Sequence, residues 1–361
     1  MIAAGNPSIQ AGGHSSSLSK VKKNTVDFGS YLLVRTLVAV LQTLPYDAGD
    51  TVCRLVARLA AGPLRIRSRV TEDNLLRIFP EADETTRRNL TIAMWHHLML
   101  MVCEIAWAQR RLHLVNWRKH VRIAKAKSIL KLYLSERPVV GVTGHFGNFE
   151  VGGHVTGLMG FSTLTIARQL DNPFLHRWVE RFRGAKGQQM VDKEGCAAVV
   201  DDHLNHQGIL SLLADQHAGP KGCWVDFLGQ TASSHKALAL FSLSNSAPMM
   251  VGYMRRLNGR PMQFELGTTG IIDPMNPNDT TSENPEFDKD DAQACNGVTS
   301  LTNWYNDRLA LAIGKGVEQY WWLHRRWREP PERIAKRLRK KSQTPKAEST
   351  DHQKTLANSS R

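Results

Sequence analysis

A change of periodicity after Pro138 constrains the fold of this chain more than any other feature. From there on, short and largely apolar runs recur, namely VVGVTG, STLTIA after Phe161, GILSLLA after Gln207 and PMMVGYM after Ala247. Each run has the length and composition of a buried strand. Segments with helical patterns lie between or after them, at residues 149–159, 173–183, 195–205 and 235–244. Strands that alternate with helices build parallel βαβ units, so the sequence predicts an α/β fold with a mostly parallel central sheet flanked by helices.

The stretch before this alternation, residues 71–112, has a helical pattern throughout. Pro80 followed by Asp83 and Glu84 is typical of a helix start. The run AMWHHLMLMVCEIAW is then almost continuously apolar. It predicts a buried core helix. The alternative is a flexible apolar wall for an acyl chain or a bilayer, since methionine side chains adapt to irregular ligands.

An apolar segment near the amino terminus, FGSYLLVRTLVAVLQTLP at residues 28–45, is interrupted by Arg35 and Gln42. A membrane-spanning helix needs roughly 20 apolar residues, and this run is slightly shorter. The favoured interpretation is a helix that lies in the membrane surface or dips into it. A true span and an ordinary core helix are the alternatives. Basic residues on both sides would suit anionic head groups: Lys20, Lys22, Lys23, Arg54, Arg58, Arg65, Arg67 and Arg69.

Composition along the chain predicts four segments. Residues 1–24 are rich in Gly, Ser and Lys, lack the apolar core of a cleavable signal peptide, and are expected to be a disordered lead-in. Residues 25–70 are expected to form membrane-associating helices, and residues 71–330 the main domain. Residues 331–361 read as a basic amphipathic turn and then a largely disordered tail. Within the main domain, residues 273–297 are acidic and rich in Pro and Asn, which predicts an exposed excursion.

The formal net charge of +14 favours an anionic partner, with nucleic acid and the phospholipid surface as the leading candidates. The five cysteines are scattered and include no CxxC pair, so neither a zinc ribbon nor a disulfide framework is indicated.

The decapeptide GVTGHFGNFE at residues 141–150 carries the strongest chemical signal. It places His145 at the end of a predicted strand and Glu150 in the first turn of a predicted helix. A carboxylate bonded to one imidazole nitrogen leaves the other nitrogen free to accept a proton, and free amides at the helix start could hold an oxyanion. This arrangement suits the deprotonation of an alcohol that attacks an acyl carbonyl, without a GxSxG nucleophile. The alternative is a capped turn whose polar pair has no chemical purpose.

Five motifs in order give the chain a family resemblance. They are NLLRIFPEADETTRRNL, GHFGNFE, ARQLDNPFLHRW, the long block LLADQHAGPKGCWVDFLGQTASSHKALALFSLSNSAPMMVGYMRR, and QYWWLHRRWR. Together they span roughly residues 70–328. In these motifs the chain resembles the bacterial lipid A biosynthesis late acyltransferases (lauroyl and myristoyl transferases), within the wider glycerolipid acyltransferase-like superfamily.

The resemblance implies an O-acyltransferase at the cytoplasmic face of the inner membrane, and makes residues 71–330 an acyltransferase domain. The implied donor is an acyl carrier protein thioester or acyl-CoA, and the implied acceptor is a lipid A precursor or related phosphorylated glycolipid. No cofactor, metal ion or nucleic acid partner is expected, and the positive charge then suits the carrier, the acceptor and the anionic membrane surface. A lipid ester or thioester hydrolase that uses the same residues on water is the alternative.

The resemblance also implies roles for individual residues. His145 is the general base, with Glu150 as its partner. The expected substrate-binding residues are Arg168, Asn148, Asp215, Gln216 and Lys236. Four of these residues have a structural alternative: a salt bridge at a strand end for Arg168, a helix cap for Asn148, and loop bonding for Asp215 and Gln216.

Overall fold

The computed structural model of the chain describes residues 13–276 and 291–342. The helices are α1 (Gly13–Thr43), α2 (Tyr46–Ala61), α3 (Ser68–Ile78), α4 (Glu84–Arg111), α5 (Ala126–Tyr133), α6 (Phe149–Leu158), α7 (Pro173–Gly184), α8 (Cys196–Asn205), α9 (Ala237–Ser244), α10 (Asp291–Ala294), α11 (Val298–Ile313) and α12 (Glu332–Ser342). The strands are β1 (Val121–Ile123), β2 (Val139–Thr143), β3 (Thr163–Ala167), β4 (Gln188–Asp192), β5 (Ile209–Leu213), β6 (Cys223–Phe227), β7 (Gln230–Ser234), β8 (Met249–Arg256) and β9 (Phe264–Ile272).

Seven of these strands form one sheet in the order β1-β9-β8-β2-β5-β3-β4, and β6 and β7 form a separate hairpin. All neighbouring pairs in the large sheet are parallel except β8 with β9. The prediction of an α/β fold with a mostly parallel sheet is confirmed. The four predicted strands are β2, β3, β5 and β8, and the four predicted helices are α6, α7, α8 and α9. The other five strands were not anticipated, since none of them is a continuous apolar run.

The core lies on both faces of the central strands. Val140 and Val142 of β2 join one buried cluster that includes residues of α9, α11 and the carboxy-terminal aromatic segment. A second cluster, which includes Val151 and Val155 of α6, packs against α4 through Trp107. Both faces of β2 are therefore buried, as expected of a central parallel strand whose sequence does not alternate.

Helix α4 contains the apolar run AMWHHLMLMVCEIAW and is a core helix, as predicted. Met94, Leu100 and Trp107 on it are fully buried. In the described part of the chain, α4 is also the one helix long and apolar enough to cross a membrane, but half of its most apolar stretch is buried in the protein. A core helix meets the same criterion, so α4 is weak evidence for a span.

Helix α1 contains most of the apolar segment at residues 28–45, and it differs from expectation at its start. It begins at Gly13, within the segment expected to be disordered. Leu18 and the three lysines at positions 20, 22 and 23 are good helix formers, so the helix continues upstream of the apolar run. Residues 1–12 of the predicted lead-in lie outside the described residues.

Two other predicted segments are described only in part. Residues 277–290 of the acidic excursion and residues 343–361 of the tail lie outside the described residues. The described part of the tail includes α12, a helix with basic residues at six of its eleven positions.

Candidate active site

The candidate site lies where β2 and β5 end, at the carboxyl edge of the sheet. These strands are neighbours, and their register pairs Thr143 with Leu213. The amide of Ala214 extends the pairing by donating to the carbonyl oxygen of Thr143 at 2.8 Å. His145 and Asp215 each follow two residues beyond the paired positions, so the strand register itself brings them together.

The Asp215 carboxylate bonds to His145 through both of its oxygens. The imidazole Nδ1–H donates to Oδ1 at 2.8 Å, and the backbone N–H of His145 donates to Oδ2 at 2.9 Å. The Asp215 side chain is 4% exposed and that of His145 14% exposed. With the proton on Nδ1, Nε2 is left as the acceptor. The Nε2 of Gln216 lies 3.3 Å from this ring nitrogen, on the exposed side of the site.

Two glycines allow this close approach. A Cβ at Gly144 would lie 3.2 Å from the carboxyl carbon of Asp215, tighter than ordinary packing. Gly147 has a φ of +61°, and a Cβ there would lie 1.9 Å from the carbonyl oxygen of Met254. A larger residue at position 147 would push α6 away from β8, so the GHFGNFE motif needs glycine here.

The electrostatics of the pair stabilise the imidazolium form. Burial by itself lowers the pKa of His145. The negative charge of Asp215, its hydrogen bond to Nδ1 and the charge of Glu150 outweigh burial and raise the pKa above its usual value. For Asp215, burial raises the pKa, but the charge of His145, the two hydrogen bonds from His145 and the charge of Arg326 lower it below its usual value. Asp215 is therefore an ionised carboxylate that orients the ring.

Glu150 does not occupy the position that its predicted partnership with His145 requires. Its carboxylate pairs with Arg183 of α7, with Oε2 accepting from Arg183 Nε at 3.1 Å and Oε1 accepting from Nη2. The Nδ1 of His145 is taken by Asp215 instead. Glu150 sits in the first turn of α6 and faces α7, whereas the end of β5 delivers Asp215 directly beside the ring. Glu150 still contributes its charge to the pKa of His145.

Asn148 is buried where it cannot meet a substrate in this structure. Its side chain is 0% exposed. Its carbonyl oxygen accepts from the backbone N–H of Val151 at 3.2 Å, which caps α6. Its amide donates to Oε2 of Glu104 at 3.0 Å. The helix-cap alternative therefore describes Asn148, and the substrate-binding prediction is corrected, because the β8–α6 contact carries this residue into the interior.

Glu104, the partner of Asn148, belongs to a buried polar cluster beneath α6. Arg256 donates to both carboxylate oxygens of Glu104, at 2.7 and 2.6 Å. It also donates to Nδ1 of His97 at 2.9 Å, and His97 Nε2 lies 3.3 Å from the carbonyl oxygen of Gly147. This cluster fixes the backbone that carries His145 from below.

The other amides at the start of α6 are partly engaged by the protein. The backbone N–H of Gly147 donates to the carbonyl oxygen of Gln319 at 2.9 Å, and that of Asn148 to the carbonyl oxygen of Met254 at 2.7 Å. These two groups hold the turn in place and are not available as oxyanion donors.

Arg168 and Lys236 lie at the surface. Arg168 follows β3, the neighbour of β5, and is 83% exposed with a 3.4 Å contact to Asp171. Lys236 precedes α9 and is exposed. Both therefore carry accessible positive charge. The substrate-binding roles predicted for these two residues and for Gln216 stay predictions.

The carboxy-terminal segment QYWWLHRRW contributes residues to the site that the sequence did not identify. Residues 145–147 pair with residues 319–321, through the amide of Gly147 and through the amide of Trp321, which donates to the carbonyl oxygen of His145 at 3.0 Å. The Trp321 ring lies edge-on to the imidazole, with the ring centres 5.1 Å apart. Trp321 therefore covers one side of His145.

Arg326 anchors the loop that carries Asp215. It is 1% exposed. Its guanidinium donates to the carbonyl oxygens of Gln216, at 3.3 Å, and Ser233, and to the hydroxyl of Ser234 at 2.6 Å. The available signal was the presence of arginines among three tryptophans, because a charge that is buried with aromatic side chains requires many partners. The same ending also packs into the core through Trp322 and Trp327, which are both buried.

The arrangement can act as a base on a proton presented to Nε2 of His145. Within the described residues, no group of three or more His, Cys, Asp or Glu side chains is placed to hold a metal ion. An oriented imidazole with a carboxylate behind it is the geometry of general base catalysis.

Comparison with known proteins matches residues 19–329 to the family described as bacterial lipid A biosynthesis acyltransferase. The chain is 21% identical over 314 residues to a lipid A biosynthesis lauroyltransferase of Escherichia coli (strain K12), covering 85% of this chain and 94% of that protein. It is 22% identical over 296 residues to a lipid A biosynthesis palmitoleoyltransferase of the same organism, covering 80% of this chain and 87% of that protein. A lipid A biosynthesis acyltransferase of Shigella flexneri matches with the same identity and coverage.

Proposed function

Since the chain belongs to the bacterial lipid A biosynthesis acyltransferase family and is an enzyme that transfers acyl groups, we propose that it moves a fatty acyl group from a carrier thioester to a hydroxyl of a lipid A precursor or related glycolipid. His145 is the general base. The observation that carries this proposal is the bond from His145 Nδ1 to the buried carboxylate of Asp215, which leaves Nε2 as the proton acceptor.

The reaction proceeds in two steps at one imidazole. The acceptor hydroxyl gives its proton to Nε2 of His145 while its oxygen attacks the thioester carbonyl carbon, which forms a tetrahedral intermediate. The C–S bond then breaks, the ester forms, and the thiolate takes the proton from the imidazolium. The charge of Asp215 stabilises the imidazolium between the two steps. Asp215 is thus a positioning residue that acts through His145.

An apolar surface on α1 and α2 supports attachment to a membrane. Several large apolar side chains point to solvent along these helices: Val26, Phe28, Leu32, Leu33, Leu37, Val40, Val52, Leu55, Val56 and Leu59. A set of exposed large apolar side chains on two successive helices is typical of a membrane or partner contact. The basic residues Arg54 and Arg58 on α2 suit anionic head groups. The location proposed is therefore the inner membrane, on its cytoplasmic face.

Donor and acceptor follow from the chemistry of the family rather than from a bound ligand. The proposed donors are an acyl carrier protein thioester and, as a variant, acyl-CoA. The names of the relatives differ in the acyl group, lauroyl in one and palmitoleoyl in another, so no chain length is carried over to this protein.

The test is an acyl-transfer assay with purified full-length protein. A lipid A precursor in mixed micelles is incubated with acyl carrier thioester, and the products are measured by mass spectrometry. We expect one acyl group to be added to the precursor. We expect His145→Ala to abolish this addition. The unfolding midpoint of the His145→Ala protein is expected to equal that of the wild type. His206→Ala, a change at an exposed histidine directly after α8, is the matched control and is expected to keep full activity.

Two results would contradict the proposal. Release of free fatty acid in place of acylated precursor would indicate a hydrolase that uses the same base on water. Equal transfer by wild type and His145→Ala, with both proteins folded, would remove His145 from the chemistry.

A further inference from the structure

A cavity of about 690 Å³ lies between α3 and the carboxy-terminal segment. Arg69, Asp73 and Arg77 line it from α3, and Arg325, Trp327 and Arg328 line it from the opposite wall. The four arginines and Asp73 are exposed, whereas Trp327 is buried and its indole N–H donates to the carbonyl oxygen of Phe227 at 3.2 Å. The cavity therefore has one rigid aromatic wall and a net charge of three positive.

Most of the positive charge of the cavity is not neutralised by ion pairs within the described part of the protein. Among the residues that the structure describes, none of these four guanidinium groups forms an ion pair with a carboxylate. Burial lowers the pKa of His217 and of His324, and the charge of Arg328 adds to this lowering. Asp73 offsets only one of the four positive charges, so the remaining charges repel one another, and an anion between them would relieve that repulsion. Arginine is suited to phosphate, which it binds through two parallel N–H donors.

The surroundings of the cavity indicate that the anion belongs to a lipid. Leu76 on its lining is 49% exposed, and Leu64 and Ile66 in the connection to α3 are also exposed. These apolar side chains lie close in sequence to Arg65, Arg67 and Arg69. Apolar and basic side chains mixed at one surface are typical of contact with the head-group region of a bilayer. A water-soluble phosphate compound would not need the apolar rim.

The same segment connects this cavity to His145. Trp321 contacts the imidazole, and Arg325, which lines the cavity, follows four residues later. An extended chain covers at most about 3.6 Å per residue, so the two Cα atoms lie within roughly 14 Å. Asn74 on α3 donates to the carbonyl oxygens of Trp322 and His324, both at 2.8 Å, which ties the two walls together. The cavity and the reacting base are therefore linked by one short segment of chain.

We propose that this arginine cavity binds a phosphate group of the acceptor lipid's head group and so presents its hydroxyl to His145. This inference rests on the proposed function for the identity of the lipid. The phosphate-binding chemistry itself rests on the four arginines.

The kinetic test compares a lipid A precursor with the same lipid after its phosphates have been removed by phosphatase. The variant Arg77→Glu/Arg325→Glu reverses one charge on each wall. We expect the preference for the phosphorylated acceptor, measured as the ratio of kcat/KM values, to fall by about tenfold or more, as the loss of charge-assisted bonds predicts. The control Lys127→Glu/Lys131→Glu makes the same change of charge on exposed positions of α5 and is expected to keep the wild-type preference.

The same variants distinguish a site for the acceptor lipid from a site for the acyl donor. An unchanged preference in a folded variant would overturn the proposal, and so would a rise in KM confined to the acyl carrier donor. If the charge reversals unfold the protein, Arg77→Gln/Arg325→Gln removes the charges without adding carboxylates. We expect it to lower the same preference to a smaller extent.

A binding measurement separates failure of this proposal from failure of the proposed function. Full-length His145→Ala protein is sedimented with phosphatidylcholine vesicles that contain the precursor, the phosphatase-treated precursor or phosphatidylglycerol. We expect the added Arg77→Glu/Arg325→Glu changes to weaken binding to precursor vesicles far more than binding to the other two. An equal loss on phosphatidylglycerol vesicles would indicate general attraction to anionic lipid and overturn the assignment to the acceptor. This readout needs no acyl transfer.

Discussion

Asp215 bonds to both the backbone N–H and the imidazole of His145 with one carboxylate. The first bond fixes the position of the residue and the second fixes the tautomer and plane of its ring. Because Arg326 holds the Gln216 carbonyl beside it, the carboxylate, the ring and the carboxy-terminal segment form one connected unit.

Replacing Asp215 by Asn is expected to reduce kcat by about 10²- to 10⁴-fold, because the ring loses the charge that stabilises its imidazolium form. His145 must be neutral to accept a proton, and Asp215 raises its pKa. In the wild type, kcat/KM should therefore fall as the pH drops through a value above 6.5. In Asp215→Asn, burial lowers the pKa of His145 against only the smaller effect of the Glu150 charge, so this acid limb should move to lower pH. A pH–rate profile is measured for both proteins. An acid limb at the same pH in the two profiles would contradict the pairing of Asp215 with His145.

Replacing Glu150 by Gln is expected to reduce activity less than Asp215→Asn does, with a smaller shift of the acid limb to lower pH. Glu150 is the smallest of the influences that raise the pKa of His145, and its carboxylate is paired with Arg183. The two variants are compared in the same pH–rate experiment. If Glu150→Gln matches Asp215→Asn in both loss and shift, Glu150 is the partner of His145 during the reaction.

Replacing Arg326 by Lys is expected to lower the free energy of unfolding by about 1–3 kcal/mol, since an ammonium cannot satisfy the separated acceptors of the guanidinium. We also expect kcat to fall about tenfold, because the loop that carries Asp215 loses its anchor. Urea unfolding and steady-state kinetics measure the two effects. Arg110→Lys, at an exposed position of α4, is the control. A wild-type kcat in a destabilised Arg326→Lys protein would limit Arg326 to stability.

Replacing Asn148 by Ala is expected to lower the free energy of unfolding by about 1–3 kcal/mol, because α6 loses its cap and Glu104 loses a donor. KM for both substrates is expected to stay at the wild-type value. Asn205→Ala, at an exposed position of α8, is the control for stability. A selective rise in KM for one substrate, with stability unchanged, would restore Asn148 as a substrate ligand.

Replacing Leu33 and Leu37 of α1 by Glu is expected to weaken binding of the protein to phospholipid vesicles by about tenfold or more, since burial of each leucine contributes about 1.5–3 kcal/mol. The two side chains are 71% and 55% exposed, so the fold should be unaffected. Co-sedimentation with vesicles measures the binding. Leu134→Glu/Val199→Glu, at exposed apolar positions outside α1 and α2, is the control. Equal binding by all three proteins would argue against α1 as a membrane contact.

The local properties of the chain were readable from sequence. Continuous apolar runs such as VVGVTG and GILSLLA can be buried on both faces, so they identified β2 and β5 and with them the parallel sheet. The glycines of GHFGNFE identified a tight turn at the end of β2, and the ordered motifs identified the family.

The partner of His145 was decided by tertiary structure. Glu150 is five residues away in sequence, yet α6 turns its carboxylate toward Arg183. Asp215 is 70 residues away, yet the pairing of β2 with β5 places it 2.8 Å from the ring. Spacing along a chain limits which residues can meet, but strand register and helix direction determine which of them do. The role of Arg326 could not be predicted from the sequence for the same reason, since it depends on hydrogen-bond acceptors that three separate segments supply.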